Sequence, residues 1–152
     1  MRARVSMAVL VLLTATTVPV YASGFDDKTF DQQSIDALAL KISQAQPREQ
    51  YFLYAQLMHQ MTEVSLRHYN AGDSEKATGM LKEIQALAHK IHLTMADDNK
   101  RLKDSELLLR HTAFRLSEML HNSSFEDREI VQETLSQVNQ AQSETMLQVF
   151  RK

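Results

Sequence analysis

Beyond Gly79 the chain runs to Lys152 without a glycine or a proline, and the whole sequence holds only three glycines and two prolines. Strand-rich folds turn on those residues, because glycine supplies left-handed backbone and proline presets a turn dihedral. A chain so poor in both must be built from helices. The 43% of hydrophobic residues are enough for one core in a domain of this length. They recur at intervals of three and four, the spacing of one helix face.

Residues 1–22 read as an export signal: Arg2 and Arg4 at the start, an apolar stretch from Val5 to Leu13, and Val20-Tyr21-Ala22 before the expected cleavage. Residues 23–28 are a polar lead-in, and 29–152 form a single helical domain. The protein is expected to be periplasmic or extracellular, with no integral membrane segment after signal cleavage. Without Arg2 and Arg4, 15 basic residues face 19 acidic ones, a net charge of about −4. That balance offers nothing to a phosphate backbone, so nucleic acid is not an expected partner. The absence of cysteine removes thiolate catalysis, disulfides and cysteine-ligated metal sites.

Thr29-Phe30-Asp31-Gln32 has capping-box spacing and starts a first helix with Ile35, Leu38, Ala39, Ile42 and Ala45 on one face; Pro47 ends it or begins the next. A second helix is predicted over about 48–70, with Leu53, Tyr54, Leu57, Met61 and Val64 inward. Ala71-Gly72-Asp73 ends it, with Gly72 in the left-handed position. The third carries Ala77, Met80, Leu81, Ile84, Leu87, Ala88, Ile91 and Met95. Residues 74–121 form either one helix or two; Asp97-Asp98-Asn99 favours a break, because these residues prefer caps and turns. A helix from about 100 to 121 then carries Leu102, Leu109, Ala113, Leu116 and Leu120. Ser123-Ser124-Phe125-Glu126 is a second capping box, opening a last helix with Val131, Leu135, Val138, Met146 and Val149 inward. Asn122-Ser123-Ser124 also fits a glycosylation acceptor, but reads as an inter-helix turn.

Short connections make neighbours antiparallel, so the expected fold is all-α, an up-down antiparallel four-helix bundle with an additional short N-terminal helix. Tyr69 followed by Ala71-Gly72-Asp73-Ser74-Glu75-Lys76-Ala77 and Leu81 resembles the inter-helix turn of a tetratricopeptide repeat. The resemblance stops at Leu81 and has no second copy, whereas such arrays bury each unit on the next. It implies a helical hairpin and transfers no function.

Six histidines are the residues most suggestive of chemistry, since bundles hold metal or haem on inward side chains. His89 and His92 are three apart but point outward or to an edge. Glu118-Met119-Leu120-His121 has the spacing used by di-iron bundles, which need two such motifs and two further glutamates; one is present. Met58-His59-Gln60-Met61 joins thioethers to an imidazole, but from opposite sides of a helix. His59, His68 and His121 are the candidate metal ligands. No nucleophile elbow, metalloprotease motif or phosphate loop is present, so neither an enzyme nor a cofactor is expected.

The expected function is binding, as an interaction or chaperone-like module, with a metal- or haem-binding bundle as the alternative. Its candidate surface is surplus apolar area: Tyr51, Phe52 and Tyr69 off the main stripe of the second helix, and Leu107 and Phe114 opposite the stripe of the fourth. The first helix is the simple cover for Leu107 and Phe114; a homodimer or a protein client is the other.

Overall fold

Asp31, Pro47, Gly72 and the Asp97 to Lys100 turn punctuate the five helices of the computed structural model, which describes residues 30–151. They are α1 (Gln32–Gln44), α2 (Pro47–Asn70), α3 (Ser74–Leu93), α4 (Leu102–Asn122) and α5 (Arg128–Phe150). The expected export signal, lead-in and Thr29 cap lie outside the described residues. The 74–121 stretch is two helices, and no helix among the described residues is long and apolar enough to cross a membrane.

Local chemistry sets the ends. The cap of α1 is Asp31, whose carboxylate accepts from the Ser34 N–H while the Ser34 hydroxyl accepts from the Asp31 N–H, so the box lies two residues beyond Thr29. Pro47 takes the first position of α2, where a missing N–H costs nothing. Gly72 has φ of 82°, the left-handed turn that ends α2. Before α5 the Ser124 hydroxyl accepts from the Asp127 N–H and donates to its carboxylate, but the Ser124 N–H goes to the Tyr69 hydroxyl, so the capping box expected from Ser123 does not form and the helix starts at Arg128 after Asp127.

α2 is buried on several sides, from Tyr51 to Leu66, whereas α3, α4 and α5 each bury one line, which on α4 and α5 alternates strictly by three and four. On α4 it is Leu102, Ser105, Leu109, Thr112, Leu116 and Met119; on α5 it is Val131, Thr134, Val138, Ala141 and Thr145. This is the 3.5-residue seam of coiled-coil packing. It corrects the inner faces expected from apolarity: Ala113, Leu120, Leu135 and Val149 are half-buried, and Met146 is exposed. The hydroxyls of Thr112, Thr134 and Thr145 each donate to the carbonyl four residues earlier, which lets threonine occupy the seam with its polar atom satisfied.

Cross-links show how the helices run. Thr112 meets His59, Arg115 meets Glu63 and Tyr69 meets Asn122, at separations of 53, 52 and 53 residues, so α2 and α4 lie side by side and parallel. Gln85 to Thr134 and His92 to Glu144 make α3 and α5 parallel likewise. Packing joins α2 to α3 and α4, and α5 to α3 and α4, while α1 packs on α2. Consecutive α3 and α4 do not pack together among the described residues, contrary to the expectation for short connections. Their link crosses the end of the bundle, where the Lys100 N–H donates to the Arg48 carbonyl at 2.9 Å.

Candidate functional site

Each residue of a helix turns about 100°, so Leu107 and Phe114, seven positions apart, share one side of α4 and lie opposite its buried line. They are 43% and 63% exposed. The first helix does not cover them. Pro47 leaves so short a connection that α1 folds back along α2, where Gln50 Nε2 donates to the carbonyls of Ile42 and Ala45 at 3.4 and 3.3 Å.

Charged side chains frame the pair. Lys103 and Arg110 are exposed on the same side, and Arg110 Nη2 lies 3.5 Å from the Glu106 carboxylate. Glu118, half-buried, receives Nη1 of Arg115. The same guanidinium grips Glu63 of α2 in a fork, Nε at 2.7 Å and Nη2 at 3.1 Å, and that fork raises its pKa. The frame of Lys103, Arg110 and Glu118 escaped the apolar reading, although their spacing about Leu107 and Phe114 carried it.

The α2 candidates are engaged within the chain. Tyr51 is wholly buried and cannot be part of an interaction surface; its hydroxyl bonds Thr145, and burial pushes its pKa up to about 12. Phe52 is half-buried beneath the Arg101 guanidinium, 3.6 Å from the ring centre. Tyr69, also half-buried, donates to the Asn122 carbonyl at 3.3 Å and accepts from the Ser124 N–H at 2.7 Å, tying the two inter-helix turns together. Because α2 has three neighbouring helices, its surplus apolar area is consumed inside the fold.

Nor do the candidate ligands converge. His59 sits between Phe30, whose ring is edge-on at 6.1 Å, and His111 at 6.4 Å, with Thr112 Oγ1 3.4 Å from its Nδ1. Burial lowers its pKa; Glu63 opposes that shift, while His111 and Arg115 add to it. His68 is half-buried near the end of α2, and His121 is exposed on α4 with Nδ1 2.7 Å from the Ser117 carbonyl. Among the described residues no three histidine, aspartate or glutamate side chains are grouped to hold a metal ion. His89 is exposed, and His92 bonds Glu144 instead of its neighbour.

Of the further exposed apolar residues, Met146, Leu147 and Phe150 gather at the C-terminal end of α5, while Leu40 in α1, Leu93 at the end of α3 and Phe125 in a turn stand singly. Single residues of that kind are ordinary on protein surfaces. The α4 pair differs in standing mid-helix on one line. No family model, curated protein or solved structure matches the chain.

Proposed function

We propose that this chain is an exported helical-bundle protein that acts by binding and not by catalysis, an interaction or chaperone-like module of the periplasm or extracellular space. The four longer helices are read as alternating up and down, with α1 laid along α2. The observation that carries the reading is the Leu107 and Phe114 pair, exposed on the one side of α4 that neither the core nor α1 occupies. An aromatic at the middle of a rigid helix, ringed by charge, is the composition of a contact patch with a polar rim. The export half of the reading rests on Arg2, Arg4, Val5 to Leu13 and Val20-Tyr21-Ala22. A metal-binding role through His59, His68 and His121 has no comparable geometric support.

Site-specific photocrosslinking tests the face. With benzoylphenylalanine placed at Phe114, and at Glu83 on the exposed side of α3 as a control, irradiation of cells producing the full chain should give a defined covalent adduct only from the first position. Absence of any adduct at Phe114, or equal adducts at both positions, would refute a binding role for this face.

A further inference from the structure

We infer that the partner of the α4 face is a second copy of this chain, with the two α4 helices crossing antiparallel about a twofold axis between Arg110 and His111. The inference rests on the binding role of α4 just proposed and adds the occupant. The outward strip reads Lys103, Leu107, Arg110 with His111, Phe114 and Glu118. Measured from the midpoint between 110 and 111, Leu107 and Phe114 are equidistant, and so are Lys103 and Glu118. End-for-end rotation therefore sets Leu107 on the partner's Phe114 and Lys103 on the partner's Glu118, and each contact occurs twice.

Self-complementarity of this kind is what an isologous interface requires. Charge also selects the direction, since a parallel pairing would oppose lysine to lysine and glutamate to glutamate, whereas the antiparallel one makes two opposite-charge pairs outside the two Leu107 and Phe114 contacts, with Arg110 and His111 at the axis between them. The two Arg110 side chains that approach at the axis each have a carboxylate of their own at hand, Glu106 at 3.5 Å. The strip from 103 to 118 is about 22 Å long at 1.5 Å per residue, so it occupies most of the 21-residue helix. Pairing on it leaves the buried line and the α2 and α5 contacts of α4 undisturbed. A two-helix contact lies at the small end of specific interfaces, so the dimer should dissociate on dilution.

The test uses the full chain in sedimentation velocity over a wide concentration series. Wild type should pass from one chain to two. Lys103→Glu and Glu118→Lys should each weaken association about tenfold, and the double exchange should restore it to within about threefold, because it rebuilds both pairs in reverse. Helical melts confirm that the variants stay folded, Glu118→Lys included, since it also meets Arg115 in its own chain. Since the sequence has no cysteine, Arg110→Cys should oxidise to a covalent dimer while Glu83→Cys does not. A chain that stays single at all concentrations, a double exchange no better than the single ones, or equal oxidation at both cysteines would overturn the proposal. If the wild type stays single while the Phe114 crosslink yields a different polypeptide, the second copy is wrong and the binding face stands. If no adduct forms at all, both fail.

Discussion

The hydroxyls of Tyr51 on α2 and Thr145 on α5 lie 2.5 Å apart, a hydrogen bond across the diagonal of the bundle between two helices that otherwise pack through their neighbours. Both residues are fully buried. Thr145 also donates to the Ala141 carbonyl, which leaves its lone pairs to receive the tyrosine proton.

Removing the two partners should therefore cost different amounts. Tyr51→Phe loses one net hydrogen bond, about 1 kcal/mol, and leaves Thr145 still bonded to Ala141. Thr145→Val strands the tyrosine hydroxyl in the core and should cost about 2 kcal/mol. The double variant should be more stable than Thr145→Val alone. Urea denaturation of the three proteins checks the order, and a double variant less stable than either single one would contradict it.

Acid should loosen the packing around His59. Its folded pKa is lowered, mainly by burial, so below the ordinary value of about 6.5 the unfolded chain takes up the proton before the folded chain does. Stability is fully present above that value and declines as pH falls from it toward the lower folded pKa. Of the groups that face the ring, Glu63 opposes the decline, while Arg115 and His111 deepen it. An NMR titration should place His59 below the ordinary histidine range, and His59→Gln should flatten the pH dependence of the urea midpoint. A His59 titration at or above the ordinary value would remove the basis for the claim.

Two glycine substitutions should have opposite signs. Gly72 has φ of 82°, where a Cβ is strained although nothing lies within 4 Å, so Gly72→Ala should destabilise by about 1 kcal/mol. Gly79 lies inside α3 in open space, and Gly79→Ala should stabilise by roughly 0.5 to 1 kcal/mol through helix propensity and a less free unfolded chain. Thermal melts that shift both variants the same way would contradict this assignment.

Arg115 clamps α4 to α2 through Glu63 and holds Glu118 on its own helix. The group is about one-third exposed, so solvent screens it; Arg115→Met should cost about 1 kcal/mol, reduced in high salt. A double-mutant cycle with Glu63→Gln measures the clamp directly, and a coupling of zero at low salt would show that the fork is held by packing alone.

Exposed Phe114 supplies a contrast with these changes. Phe114→Ser should leave the stability of the single chain within about 0.5 kcal/mol, because no helix among the described residues covers the ring. A loss of several kcal/mol, read by urea denaturation at high dilution, would mean that the ring is buried after all.

Much of the helical plan could be read before any coordinates. Scarcity of glycine and proline, the interval of three and four, Pro47 and Gly72 locate the helical segments, and Asp97-Asp98-Asn99 favours a break while leaving 74–121 as one helix or two, because local backbone preference and one-face burial act within a few residues. Leu107 and Phe114 were likewise identifiable as standing opposite the buried line, since angular position on a helix depends on spacing alone.

What covers a face is a different kind of fact. Tyr51, Phe52 and Tyr69 looked like surplus surface, yet three neighbouring helices, the Arg101 guanidinium and the Asn122 to Ser124 turn consume them. The threonines of the seam looked polar, yet their hydroxyls close on carbonyls of their own helix and admit them to the core. By itself, the sequence of this protein determined which stretches are helical and which sides of them are apolar, but not whether 74–121 is one helix or two. Only the tertiary structure decided that α1 lies along α2, that α3 and α4 stand apart and that no described helix packs on the outer side of α4, because each of those outcomes depends on contacts between different helices and not on spacing within one.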